Sequence, residues 1–227
     1  MGIALASVCL IVFTGALVRL TGSGLGCTDW PRCNETKFVD VSTGHTMIEQ
    51  VNRLFTGVVS ASVIAAVLLS YLRKPRRADL VKLSWGLIIG VLAQVVIGGI
   101  VVLTGLNPFA NMAHFLVSII LVTNAFVLYR RSTNHPPAAY IRRLAPGGCS
   151  LLMMLAVISA IAVVTGTIVT ATGPHAGDEN AVRFGFALTS VARLHGLAVI
   201  LTVAIVVAVL LTLRRRTGTK TQNPSEQ

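Results

Sequence analysis

Charge is what this 227-residue sequence has least of: Asp, Glu, Lys and Arg make up 12% of it, against 54% hydrophobic residues, and only eight residues are acidic. With a mean hydropathy of +0.77, that scarcity excludes an ordinary soluble domain. Nineteen Lys and Arg leave a formal charge of +11. The basic residues sit in short clusters between long uncharged runs, as loops between membrane spans do, so the charge argues for topology and against a nucleic-acid partner.

A helix needs about 20 mostly apolar residues to cross the hydrocarbon core. Six windows meet that test: Met1–Leu20, Leu54–Leu72, Leu83–Thr104, Asn111–Tyr129, Gly147–Thr172 and Leu194–Leu213. They lack Lys, Arg, Asp and Glu entirely, with the single exception of Arg19. The first also lacks a basic n-region and a small-x-small cleavage site, and ends in VRLTGSG, so it is expected to be a retained span and not a signal peptide. The predicted fold class is all-α, a polytopic membrane protein of six transmembrane helices.

An even number of spans puts both termini on one side, and the cations choose the side. Arg73–Arg77 with Lys82, then Arg130, Arg131, Arg142 and Arg143, then Arg214–Arg216 with Lys220, hold thirteen of the nineteen, accompanied only by Asp79 and Glu226. By the positive-inside rule these are cytoplasmic, in a multi-pass protein of the cell membrane, and the outer loops lie in Thr21–Met47 and Gly173–Arg193. Cys27 and Cys33 fall in the first outer loop, where an oxidising compartment permits a disulfide closing a short ring. Two free thiols in an ordered loop are the alternative. Cys9 and Cys149 lie in or at the ends of spans.

The odd-numbered spans share an ending. Gly15–Gly26 (GALVRLTGSGLG), Gly98–Pro108 (GGIVVLTGLNP) and Gly166–Gly177 (GTIVTATGPHAG) each read G-x-[LI]-V-x-x-T-G. Four spans separate the first and third copies, so the repeat unit holds an even number of helices and its copies run parallel. This predicts a duplicated four-helix-bundle architecture: residues 1–146 as a first bundle, 147–213 as the first two helices of a second, and 214–227 as a basic and polar cytoplasmic tail. The glycines suit close helix packing, and Thr-Gly suits a helix end whose carbonyls need partners.

Polar residues gather at the outer ends of the even-numbered spans. In HTMIEQVNRLF, His45, Glu49, Asn52 and Arg53 fall at i, i+4, i+7 and i+8, on one helical face. In the fourth span Asn111, His114 and Ser118 form one polar stripe, and in the sixth His195 lies at a matching depth. A lone imidazole on an apolar face is more often a hydrogen-bonded core residue than a ligand. Two at matching places in a repeat point to a cofactor, since ionisable groups in a span usually face a bundle interior or a ligand.

Haem fits best. A porphyrin is flat and apolar enough to lie between membrane helices, its iron takes axial imidazoles, and Arg19, Arg53 and Arg193 are placed to meet propionates. Zinc or copper would want more ligands close together. His135 is expected to be solvated beside Pro136 and Pro137; His175 is either a surface residue or part of a lid.

GALVRLTGSGLGCTDWPRC, HTMIEQVNR, AHFLVS, GTIVTATGPHAGD and ARLHGLA together resemble the haem A synthase (CtaA) family in an actinobacterial form, over essentially the whole chain. The resemblance implies eight helices in two similar four-helix bundles. The first bundle binds haem O as substrate and oxidises its C8 methyl to a formyl group, giving haem A for cytochrome oxidase; the second holds haem b. It implies that His114 is an axial ligand of the first bundle and His195 of the second, both as ligands of haem iron. It implies that Glu49, of an E-x-x-[HN]-R motif with Asn52 and Arg53, carries the chemistry, and that Cys27 and Cys33 are the outer-loop cysteine pair. Haem O synthase is the implied partner, with homo-oligomers and membrane lipid as further associations.

Two departures follow from the same comparison. Many members have histidine at Asn52, so His45, two turns earlier on the same face, becomes a candidate second ligand. The helices and the histidine expected after the sixth span are absent, so the chain is expected to be a fragment, a truncated product, or one whose second haem is completed by another subunit. On the mechanistic expectation, Glu49 stabilises positive charge and takes protons at the reacting methyl while Arg53 keeps it ionised. The main rival is a non-catalytic b-type membrane cytochrome passing electrons through bis-histidine haem. A solute transporter is disfavoured, because no span is broken by proline near the midplane.

Overall fold

Small and hydroxyl-bearing residues hold these helices together. Lipid tails are as apolar as leucine, so association in a membrane rests on close packing and interhelical hydrogen bonds and not on a hydrophobic drive. The computed structural model describes residues 1–133 and 146–220. His135, Arg142, Arg143 and residues 221–227 of the tail lie outside the described residues.

Six helices occupy the described residues: α1 (Gly2–Leu20), α2 (Gly44–Leu72), α3 (Ala78–Leu103), α4 (Pro108–Ser132), α5 (Pro146–Thr172) and α6 (Leu188–Lys220). Each is long and apolar enough to cross a membrane, as the apolar windows predict. The helix ends differ from the windows because caps, not hydropathy, set them. α2 starts at Gly44, ten residues before its apolar window, because Thr43 and Thr46 form a reciprocal capping box. Its 29 residues reach about 43 Å at 1.5 Å per residue, so its first turns extend past a hydrocarbon core of about 30 Å. α4 starts at Pro108, where Asn107 Oδ1 accepts the amides of Phe109 and Ala110.

The chain forms two units, Met1–His135 with Thr170–Gly185, and Pro136–Val169 with Phe186–Gln227. In the first, α1 packs on α2 and α4, and α3 on the same two, which closes a four-helix ring. Its core is Ala4, Val8, Val59, Val63, Ala66, Leu80, Leu87, Val91, Leu121, Ala125 and Leu128. Hydroxyl pairs stitch the neighbours, Ser7 Oγ to Ser62 Oγ at 2.7 Å and Ser70 Oγ to Ser84 Oγ at 3.0 Å. Asn124 Nδ2 donates across to the Leu83 carbonyl at 3.0 Å.

The repeated Thr-Gly closes α1 and α3 in the same way. Thr21 and Thr104 hydroxyls donate to the carbonyls of Leu17 and Ile100, four residues back. Gly22 (φ +65°) and Gly105 (φ +61°) take the left-handed conformation that lets Ser23 N bond Val18 O at 2.9 Å and Leu106 N bond Val101 O at 2.8 Å. At the third copy, Gly173 O instead accepts Arg183 Nε at 3.1 Å, and the Gly177 carbonyl accepts the amide of Gly24 at 2.8 Å. Residues 170–185 thereby join the first unit at its disulfide-bearing end.

Candidate functional site

At the start of α2 a carboxylate is buried against its own helix and a loop. Glu49 is 5% exposed. Its Oε2 accepts the backbone amide of Cys27 at 2.7 Å, and its Oε1 accepts Arg53 Nε at 2.9 Å and also Arg53 Nη2. Arg53 spends its remaining donor on the loop: Nη1 reaches the carbonyls of Asp29 at 3.0 Å and Arg32 at 3.2 Å. The one-turn spacing of Glu49 and Arg53 makes the pair, and the pair fastens the loop.

That loop is closed by a disulfide between Cys27 and Cys33, whose Cα atoms are 4.4 Å apart. Of the two alternatives open in the sequence, the structure has the bridge and not free thiols. Both cysteines are fully buried, and Gln50 Oε1 lies 3.6 Å from Cys27 Sγ. Between them Trp30 lays its ring on α3 at Gly99, where a Cβ would come within 2.8 Å of the indole. Neither Gln50 nor the Gly99 seat is evident from sequence, although Trp30 belongs to the quoted CTDWPRC.

The remaining residues of the α2 face part company. Asn52 turns to α1, where its Oδ1 accepts the hydroxyl of Thr14 at 2.7 Å. His45 is exposed, with Nδ1 3.0 Å from Ser23 Oγ. Arg19 is half-buried near the end of α1; Nη1 donates to Thr170 Oγ1 at 3.1 Å, while its buried Nε has no hydrogen-bond partner among the described residues. An unfulfilled donor on a cation is a costly arrangement that an anionic group would relieve.

His114 is half-buried on α4 facing α3. A Cβ on Gly98 would lie 3.4 Å from its Cε1, so the imidazole rests on the bare backbone of the second repeat copy. Its buried Nδ1 is without a hydrogen-bond partner among the described residues. Gln94, one turn before Gly98, holds the backbone there: Nε2 donates to His114 O at 3.0 Å and Ser118 Oγ at 2.8 Å. Asn111, on the same stripe, instead caps the preceding turn through Leu106 O at 3.1 Å.

The second unit repeats this seat. His195 on α6 rests on Gly166 of α5, where a Cβ would lie 3.0 Å from Cε1. Its Nδ1 is 3.0 Å from Ala162 O and 3.3 Å from Thr165 Oγ1. A carbonyl only accepts, so the proton sits on Nδ1 and Nε2 keeps its lone pair, the tautomer in which imidazoles bind metals. Arg193, two residues earlier, is exposed at the start of α6. Glycines that suit packing in the sequence therefore serve, in two of the three copies, as platforms for histidine rings.

Membrane helices carrying two glycine–imidazole seats, with a buried carboxylate clamped to a disulfide loop, define an all-α polytopic membrane protein. The chain belongs to the COX15-CtaA family of cytochrome oxidase assembly proteins, whose family model matches residues 1–43 and 36–177. A haem A synthase of Geobacillus kaustophilus is 33% identical over 121 residues, 52% of this chain and 38% of that protein. One of Lysinibacillus sphaericus is 36% identical over 112 residues, 49% and 36% of the two chains. One of Geobacillus thermodenitrificans is 33% identical over 132 residues, 57% and 41%. The matched part thus spans about two fifths of the length of these relatives. No solved structure matches the chain.

Proposed function

We propose that this chain takes part in haem A synthesis, oxidising the C8 methyl of haem O to a formyl group. The observation that carries the proposal is the placement of a buried, ion-paired carboxylate in the same helical ring as an imidazole seated on glycine. The name of the relatives, haem A synthase, supports it. The residues fit a porphyrin: His114 has an unpartnered buried nitrogen, His195 has a free Nε2, and Arg19 has an unfulfilled buried donor.

In this reading His114 holds the substrate's iron, and Arg19, with its unfulfilled buried donor, meets a propionate, while Arg53 stays bonded to Glu49 and the loop. Oxidation of a methyl carbon to the alcohol and then the aldehyde removes two electron pairs to an external acceptor, takes up one oxygen atom from water or dioxygen, develops positive charge at the carbon and releases protons. Glu49 is the group that stabilises that charge and takes a proton, and Arg53, bonded to it through two nitrogens, offsets part of the cost of burying its charge. Asn52 fixes α2 against α1 through Thr14, and His45 is the candidate second ligand on the α2 face. His195, with Arg193 at the same helix start, is the ligand for a resident haem b, which when bound would supply one-electron transfer. The oxidised end of the protein faces the outside of the plasma membrane, both termini are cytoplasmic, and haem O synthase is the expected source of substrate.

Glu49→Gln tests the assignment, because the amide keeps the shape and the Cys27 contact and removes the charge. In membranes supplied with haem O, the variant is expected to retain bound haem while its haem A yield falls by about 10²-fold or more, the scale of a lost acid–base group. Normal haem A from Glu49→Gln would refute the role.

A further inference from the structure

The basic run between α2 and α3 divides by what its members touch. Arg73 Nη1 donates to Ser132 O at 3.0 Å and Arg77 Nη1 to Arg131 O at 2.9 Å. Arg77 also pairs with Asp79 at 2.8 Å, and Asp79 lies 3.6 Å from Arg131. These residues tie the loop to the end of α4.

Arg76 does something else. Its guanidinium carbon stands 4.5 Å above the ring centroid of Tyr71. The Tyr71 oxygen accepts Trp85 Nε1–H at 3.0 Å, which joins α2 to α3 and leaves the tyrosine's own proton free to donate outward. Tyr71 and Trp85 are 41% and 46% exposed. Lys82, one turn before Trp85, is exposed as well, and neither it nor Arg76 has an acidic partner among the described residues.

Two apolar stripes run from this cluster away from the basic loop. Ile64, Leu68 and Tyr71 share a face of α2, and Trp85, Ile89 and Leu92 a face of α3, at i, i+4 and i+7 spacing in each case. All six side chains are exposed. Cations and an aromatic pair at the rim, above parallel apolar stripes on neighbouring helices, match a phosphate headgroup followed by acyl chains.

We propose that the α2–α3 edge is a binding site for one anionic glycerophospholipid. Arg76 and Lys82 take its phosphate charge, Tyr71 O–H donates to a phosphate oxygen, and the chains lie along the two stripes. Arg73 and Arg77 have no part in it, being bonded to the end of α4. The site is independent of the haem reading.

The test is native mass spectrometry of the purified chain released from nanodiscs of phosphatidylcholine and phosphatidylglycerol in equal parts, counting the lipids that stay bound. Phosphatidylglycerol is expected to be retained in preference, and Arg76→Gln or Lys82→Gln to lower its retention about fivefold each, the contribution of one basic residue at an anionic surface. Tyr71→Phe, which keeps the ring under Arg76 but removes the hydroxyl that donates outward and accepts from Trp85, is expected to lower it about two- to fivefold through the lost hydrogen bond. Arg130→Gln, another exposed cation at the same end, is expected to leave it within about twofold. Equal retention of phosphatidylcholine, or a loss in Arg130→Gln as large as in Arg76→Gln, would overturn the proposal in favour of diffuse surface charge.

Discussion

The Nδ1 of His195 lies 3.0 Å from the carbonyl oxygen of Ala162, one turn before the glycine on which the ring rests. The contact fixes both the proton and the plane of the imidazole, so Nε2 is the nitrogen left to a ligand. A methyl group at Gly166 would come within 3.0 Å of Cε1 and push the ring off that carbonyl, whereas one at Gly98 would stand 3.4 Å from the His114 ring. Haem titration followed by the Soret band is therefore expected to show Gly166→Ala weakening binding at His195 about 10- to 100-fold, the scale for losing an orienting hydrogen bond. Gly98→Ala should weaken binding at His114 less. Equal affinities in wild type and Gly166→Ala would show that the seat does not position the ring.

Arg53 both pairs with Glu49 and bonds the carbonyls of the disulfide loop. Arg53→Gln leaves a buried carboxylate without its cation and frees the Asp29 and Arg32 carbonyls, which is expected to cost about 3–5 kcal/mol. Glu49→Gln is expected to cost less, because the partly exposed guanidinium can turn to water while the amide still accepts from Cys27. Thermal unfolding of the detergent-solubilised variants, followed by near-ultraviolet circular dichroism, ranks the two.

Reduction of Cys27–Cys33, or Cys27→Ser with Cys33→Ser, removes a ring with a sequence separation of six. The chain-entropy account gives about 2 kcal/mol for so short a ring. Trp30 should then leave Gly99, which shifts its fluorescence to the red and opens the loop to proteolysis, while the helix content stays the same. Unchanged Trp30 emission after reduction would mean that the Arg53 clamp alone holds the loop.

The same loop should open in acid. Hydrogen bonds from Ser42 hold the Asp40 carboxyl below its ordinary range, assisted by Lys37. A carboxyl with a depressed folded pKa stabilises the fold above its unfolded pKa, and that contribution is lost as pH falls through the folded value. Amide exchange in residues 34–42 is thus expected to rise below the usual aspartate range, and Asp40→Asn to remove that dependence while raising exchange at neutral pH. A pH-independent exchange rate in the wild type would contradict the Asp40 account.

The spans were legible because twenty apolar residues have few alternatives to a membrane helix, and the Thr-Gly repeat was legible because its Schellman closures depend on local sequence. The start of α2 was not, since a capping box of Thr43 and Thr46 leaves no hydropathy signal. The shared face of Glu49 and Arg53 follows from helical spacing, but the Cys27 amide that completes the carboxylate's shell comes from 22 residues away. Gly98 and Gly166 show the same limit: a glycine in a span marks a close approach, and only the tertiary structure says that the approaching group is an imidazole. Asn52 and His45, neighbours in the helical projection, bond at different levels, to Thr14 on α1 and to Ser23 just past the end of α1.

Haem A synthesis is the central claim, and the haems themselves test it most directly. The chain should be purified from membranes that contain haem O and its bound haems extracted for mass spectrometry. Haem A, or its hydroxymethyl precursor, is the result predicted for a chain that oxidises the C8 methyl. Haem b alone, reversibly reducible and accompanied by no oxidised product, would contradict the claim and assign the imidazole seats to a membrane cytochrome.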